Sequence, residues 1–203
     1  MRWKRHLEDK FLNHLSGSLV NLLSSMNVKP LHLTITSFIT ALFSSTLYYL
    51  AKDLTLLFYP AGISLLISGL LDALDGAIAR KRKMESRSGA FLDSTLDKIG
   101  ESALFISLTS SGVVSPLWGT TSLASSLLVS YTRSRAESLG IDLKGVGLME
   151  RAERIILVSA ASFIEPSYKG ALNIALIILT FLSLATIIHR MIYSLNKLKH
   201  FEA

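Results

Sequence analysis

The stretch 72-DALDGAIARKRKMESRSGAFLDSTLD-97 places four aspartates, Asp72, Asp75, Asp93 and Asp97, between long apolar runs. An ionised carboxylate in or beside a bilayer core costs about 2.5–3.5 kcal/mol on insertion scales. Four of them need compensation, and carboxylate oxygens are the ligands that hard divalent cations prefer. Asp72 and Asp75 are three apart and Asp93 and Asp97 four apart, so each pair shares one face of a helix. With the two helices antiparallel neighbours joined by a short polar loop, all four carboxylates converge at one depth. Such a quartet can hold two divalent cations bridged by shared carboxylates. The ligands on offer are all oxygens, which favours Mg²⁺, with Mn²⁺ as the substitute, over Zn²⁺.

The rest of the chain fits a membrane setting. Of 203 residues 50% are hydrophobic, and the mean hydropathy of +0.44 is high for a soluble domain. There is no cysteine, which excludes disulfides, thiolate metal sites and cysteine nucleophiles. The formal net charge of +6 reports membrane orientation and lipid contact rather than nucleic-acid binding. No cleavable signal is evident in the charged start MRWKRHLEDK. Without an internal repeat or a low-complexity linker, the simplest expectation is one membrane domain over residues 1–203.

A spanning helix needs roughly 20 mostly apolar residues. Six candidates run over about 32–51, 55–80, 90–112, 117–138, 149–165 and 170–196. The expected fold is therefore an all-α membrane protein with a six-helix bundle over residues 30–196. Ahead of it, Phe11, Leu12, Leu15, Leu19, Leu22, Leu23 and Met26 recur at helical spacing. That pattern predicts an amphipathic juxtamembrane helix within residues 1–29, with an ordinary packed helix as the other reading. Pro30 ends this segment and opens the first span. Lys and Arg crowd the N-terminus, the loop 81–87, the region 133–154 and the C-terminus, whereas the opposite side carries Lys52 and Lys169. The positive-inside rule then puts both termini and the aspartates on the cytoplasmic side of the cell membrane.

Small residues stand among the acids. Gly76 and Ala79 follow Asp75, and Gly89 precedes Asp93, so a bulky ligand can approach the backbone. Arg80 ends on the same side, where a guanidinium can clamp a phosphate. Carboxylates for metal, room for a ligand and an arginine together imply diphosphate chemistry.

The string resembles the signature of the CDP-alcohol phosphotransferases, D-x-x-D-G-x-x-A-R, eight residues, then G-x-x-x-D-x-x-x-D. Asp72, Asp75, Gly76, Ala79, Arg80, Gly89, Asp93 and Asp97 match it without departure. The resemblance implies transfer of a phosphoalcohol group from a CDP-linked donor to an acceptor hydroxyl, with release of CMP. It implies two Mg²⁺ ions held by Asp72, Asp75 and Asp93, with Asp97 near the second ion and acting as general base. It also implies a CDP cradle of Gly76, Ala79, Arg80, Gly89 and Ser86, and a homodimer. At the entrance to the first span, 28-VKPLHLT-34 matches the family at Pro30 and Thr34 and departs at Lys29, Leu31 and His32. Pro30 and Thr34 are accordingly candidate contacts to the donor, and His32 reads as a surface histidine.

A second polar cluster, 131-YTRSRAESLGIDLKGVGLMERAER-154, bears on the acceptor. Arginines gathered from two helix ends suit a phosphorylated acceptor, while interfacial snorkelling and positive-inside bias are the alternative. YTRSRAES and GLMERAER resemble a subgroup of the family, the phosphatidylinositol-phosphate and archaetidylinositol-phosphate synthases. That resemblance implies inositol 1-phosphate as acceptor, a CDP-lipid (CDP-archaeol or CDP-diacylglycerol) as donor, and Arg133, Arg151 and Arg154 on the acceptor phosphate. Arg135 and Arg190 are further candidates. Glycerol 3-phosphate is the rival acceptor. A metal-ion transporter is the rival outside enzymology, although it would spread its acids through several helices.

Overall fold

The computed structural model describes Val20, residues 28–143 and residues 145–202. Among them are six α-helices, one 3-10 turn and no strand. The helices are α1 (Pro30–Leu50), α2 (Phe58–Lys81, preceded by the 3-10 turn Thr55–Leu57), α3 (Arg87–Ser110), α4 (Pro116–Ser138), α5 (Arg151–Ile164) and α6 (Ala171–Glu202). All six expected spans are helices. Three are long and apolar enough to cross a bilayer by length and composition: Pro30–Leu50, Thr55–Lys81 and Ala171–Lys199. The shortest, α5, has 14 residues, roughly 21 Å against a hydrocarbon core of about 30 Å. The amphipathic segment expected over residues 1–29 lies, apart from Val20, Val28 and Lys29, outside the described residues.

Each helix end is marked by local chemistry. Pro30 and Pro116 open α1 and α4, where a missing N–H costs nothing. The Ser86 hydroxyl caps α3 by accepting from the Gly89 N–H at 3.0 Å. The buried Glu165 carboxylate accepts from the N–H groups of Gly170 and Leu172 at the start of α6. α2 closes with the Met84 N–H on the Ala79 carbonyl and the Lys83 N–H on the Arg80 carbonyl. Lys83 takes the left-handed conformation that this closure requires, with φ 54.

The helices pack in a ring. α1 lies against α2 and α3, α2 against α5, α5 against α6, α6 against α4, and α4 against α3. α2 and α3 do not pack on each other; α1 backs both. The sequence led us to expect direct neighbours there. The separation instead leaves a gap that acidic side chains span from both walls.

Small and hydroxylated residues bring the ring together, as membrane helices require where lipid and side chain are equally apolar. Ser37 donates to the Ser68 carbonyl, Ser44 to the Ala61 carbonyl and Ser122 to the Leu176 carbonyl. Tyr48 of α1 reaches Ser162 of α5 through its hydroxyl. Tyr48, Phe58, Phe105, Leu108, Leu172, Leu176 and Leu179 fill the interior, whereas Ile39, Phe43, Phe181 and Ile188 face outward.

A close helix approach occurs at Gly119 of α4. A Cβ there would stand 2.0 Å from Thr109 Oγ1 of α3. Gly119→Ala should therefore destabilise the protein by about 1–3 kcal/mol, the usual cost of overpacking. Adding Thr109→Ala removes Oγ1, at 2.0 Å, and Cγ2, at 3.2 Å, keeps only the Cβ at 3.0 Å, and should restore most of the loss. Unfolding of both variants in mild detergent checks this; a double variant no more stable than Gly119→Ala alone would refute the contact.

Candidate active site

The gap between α2 and α3 holds the acids. Asp72 and Asp75 come from the last turns of α2, and Asp93 from the second turn of α3. Each offers a carboxylate oxygen, and these three atoms lie within 4.8 Å of one another. Asp75 is buried, and Asp72 and Asp93 are half-buried. Three carboxylates this close repel strongly in a poorly hydrated site. Among the described residues, Asp93 Oδ1 is buried without a hydrogen-bond partner. A buried carboxylate oxygen left this way carries a desolvation cost that a cation would relieve. The donor set is all carboxylate, which suits Mg²⁺ or Mn²⁺.

Two contacts offset the repulsion. The Thr34 hydroxyl of α1 donates to Asp75 Oδ2 at 2.7 Å. Arg151, the first residue of α5, bridges Asp72 and Asp97: Nη1 contacts Asp72 Oδ2, and Nη2 lies 2.8 Å from Asp97 Oδ1. Asp97 thus stands one helical turn beyond Asp93, held by the guanidinium and outside the three-carboxylate cluster. The tie between Thr34 and Asp75 was not read from the sequence. The sequence offers Thr34 only as a candidate contact to the donor, and its tie to Asp75 needs the packing of α1 on α2.

A groove of about 350 Å³ opens beside the acids. Its walls include every residue the sequence assigned to the donor: Pro30, Thr34, Gly76, Ala79, Arg80, Ser86 and Gly89. Asp75 and Asp93 also line it. Lys29 and Leu31, where the sequence departs from the family pattern, line it too, as do Met84, Glu85 and Ala90, which the sequence did not single out. The exposed Arg80 guanidinium lies over Gly76, where an added Cβ would meet Nη1 at 3.3 Å. The N-terminus of α3 borders the same groove through Ser86, Gly89 and Ala90, and the positive end of the helix dipole there is a favourable setting for an anion.

The five arginines read as candidates for the acceptor phosphate part company. Arg151 reaches the acids, as above. Arg154, one turn on, is buried; its Nε donates to Glu101 Oε1 at 2.6 Å and its Nη1 to the Met149 carbonyl. Lys98 pairs with the other Glu101 oxygen. Arg190 is 2% exposed and donates to the Val129 and Val146 carbonyls and to Glu150. Arg190 therefore ties α6 to α4 and to the loop before α5, a structural use that differs from the phosphate contact read from the sequence. Arg133 and Arg135 are exposed near the end of α4, with Arg133 on Glu137 at 2.8 Å and Arg135 beside Ser138. The loop before α5 is also held by the Thr186 hydroxyl, which accepts from the Leu148 and Met149 N–H groups. Gly147 sits against it at φ 134, where a Cβ would strike Thr186 Cγ2 at 2.6 Å.

Thr34→Val should weaken Mn²⁺ binding by about ten- to a hundredfold, the range seen when a hydrogen-bond partner of a metal ligand is lost. Thr34→Ser should stay close to wild type. Titration of free Mn²⁺ by electron paramagnetic resonance reads both, and a valine variant with unchanged affinity would show that this hydroxyl does not position Asp75.

Comparison with known proteins gives a consistent result. Residues 26–195 match the family model for CDP-alcohol phosphatidyltransferase. The archaetidylinositol phosphate synthase of Methanothermobacter thermautotrophicus is 42% identical over 173 residues, covering 83% of this chain and 84% of the relative. That of Pyrococcus horikoshii is 36% identical over 177 residues, 86% and 87% of the two chains. The structure of Mycobacterium tuberculosis phosphatidylinositol phosphate synthase with CDP-DAG bound superposes with a TM-score of 0.73 at 26% identity, over 87% of this chain and 92% of that one. The same enzyme in complex with manganese and citrate gives 0.73 and 26%, over 87% of each chain.

Proposed function

Since the chain belongs to the CDP-alcohol phosphatidyltransferase family, we propose that it transfers a phosphatidyl-type group from a CDP-linked lipid to a hydroxyl of inositol 1-phosphate and releases CMP. The observation that carries this reading is the cluster of Asp72, Asp75 and Asp93, two of which, Asp75 and Asp93, line a groove together with all seven residues assigned to the donor. Similarity to archaetidylinositol phosphate synthases over most of the chain supports the acceptor. The donor lipid is CDP-archaeol or CDP-diacylglycerol.

In this reading Asp72, Asp75 and Asp93 hold Mg²⁺, two ions with Asp97 beside the second. When bound, the metal neutralises diphosphate charge and polarises the phosphorus under attack. Arg80 and the N-terminus of α3 hold the diphosphate against Gly76 and Gly89, and Pro30 and Thr34 close the groove from α1. The acceptor oxygen forms its bond to the lipid-bearing phosphorus while the bond from that phosphorus to the CMP oxygen breaks. Asp97 takes the acceptor's hydroxyl proton. Arg151 holds the acceptor phosphate, with Arg133 and Arg135 at the approach. Arg154, one turn along α5 from Arg151, keeps a structural part through Glu101.

The same reading makes residues 1–203 one membrane domain with six spans, both termini and the carboxylates cytoplasmic. Its support is that the start of α1, the end of α2, the start of α3, the end of α4 and the start of α5 share one end of the ring with most of the basic residues. The working unit is a homodimer, as the family resemblance implies.

Purified protein given CDP-lipid, Mg²⁺ and inositol 1-phosphate should release CMP, and glycerol 3-phosphate or serine in its place should give far less. Greater turnover with glycerol 3-phosphate would overturn the acceptor assignment. Asp97→Asn should lower kcat by at least about a hundredfold, the scale of general base catalysis, with CDP-lipid binding largely kept. Equal loss of turnover and binding would make Asp97 chiefly a metal ligand.

A further inference from the structure

Arg151 stands where a helix disfavours a cation. It is the first residue of α5, at the positive end of the helix dipole, and Glu150 and Glu153 already serve that terminus. Helix stability therefore does not explain it. Its two terminal nitrogens reach carboxylates from two different helices, Asp72 of α2 and Asp97 of α3. Asp72 is also one of the three acids whose oxygens lie within 4.8 Å. The guanidinium and a divalent cation at that cluster thus compete for the same carboxylate and repel each other across it.

We propose that Arg151 is an exchangeable counter-ion that couples loading of the metal site to docking of the acceptor's phosphate. This rests on the reading above for the identity of the acceptor. Before either ligand binds, Arg151 holds Asp72 and Asp97 together. Once Asp72 serves a divalent cation, the guanidinium retains Asp97 alone. A dianionic phosphate offers it several acceptor oxygens in a matching fork and draws it off Asp97. The carboxylate oxygen then stands bare beside the acceptor hydroxyl. Water brings no phosphate and leaves Asp97 occupied, so the device favours transfer over hydrolysis of the donor. The neighbouring arginine cannot substitute, because Arg154 is committed to Glu101 and the Met149 carbonyl.

The test needs no turnover. Mn²⁺ affinity is measured by the signal of the free ion, on detergent-purified protein with no nucleotide lipid present. Arg151→Gln, which removes a like charge beside the ion, should bind Mn²⁺ about tenfold or more tighter than wild type, and the charge-retaining Arg151→Lys should fall between them. Inositol 1-phosphate, but not inositol, should tighten Mn²⁺ binding by wild type and leave Arg151→Gln unmoved. Unchanged or weaker Mn²⁺ binding by Arg151→Gln overturns the competition. An equal response to inositol 1-phosphate in Arg151→Gln and wild type overturns the link to the phosphate. If the glutamine variant does not fold, Arg151→Lys decides alone, and wild-type affinity in it refutes the proposal. Absence of CMP release with inositol 1-phosphate would instead sink the acceptor assignment, and the Mn²⁺ arm would stand independently of it.

Discussion

Mutual repulsion of Asp72, Asp75 and Asp93 is the constraint around which the rest of the molecule is arranged. Carboxylates whose oxygens lie within 4.8 Å do not stay together unaided in a poorly hydrated interior. The chain meets this with a hydroxyl from α1 on Asp75 and a guanidinium from α5 on Asp72. One oxygen, Asp93 Oδ1, is left over. The site is thus held close to balance without being saturated. That is the state a cation-binding centre needs if it is to form before its ion arrives and still gain from it.

The scaffold serves the same end. Keeping α2 and α3 apart opens the groove, and α1 backs both walls so that the separation does not collapse. The close α1–α2 contacts run through Ser37, Ser44 and Ser68, whose hydroxyls bond to backbone carbonyls across the interface. Backbone proximity of this kind fixes the axial register of α2, and with it the depth of Asp72 and Asp75. On the other side, Arg190 and Thr186 pin the loop that leads into α5. The position of Arg151 follows from that loop, so a residue on α6 bears on the acids without touching them.

Much of the site was legible because its information is local. The spacings from Asp72 to Asp97 fix which side chains share a helical face, and the short loop between them fixes that both pairs meet at one end. Gly76, Ala79, Arg80, Ser86 and Gly89 fall along one groove for the same reason. The tie from Thr34 to Asp75 was not legible, since it depends on how α1 lies across α2. Nor was the gap between α2 and α3: helical periodicity gives faces, not distances between axes. α3 and α4 fall below the apolarity of a free-standing span because of the charges and hydroxyls they carry, and α5, with 14 residues, falls short in length.

The arginines show the limit most clearly, and also what structure adds. In the sequence, Arg133, Arg135, Arg151, Arg154 and Arg190 are equivalent cations near one membrane face. A guanidinium has five N–H groups, and what matters is how many remain for a ligand. Arg190 spends its donors on two backbone carbonyls and Glu150, and Arg154 on Glu101 and the Met149 carbonyl. Moving either would strand buried acceptors, at a cost of about 1–3 kcal/mol for each polar group left without a partner. Arg151 faces only carboxylates that a metal ion or a bound anion can relieve. The same residue type is therefore a fixed strut at two positions and a movable charge at the third. Burial and the chemistry of the partner decide which.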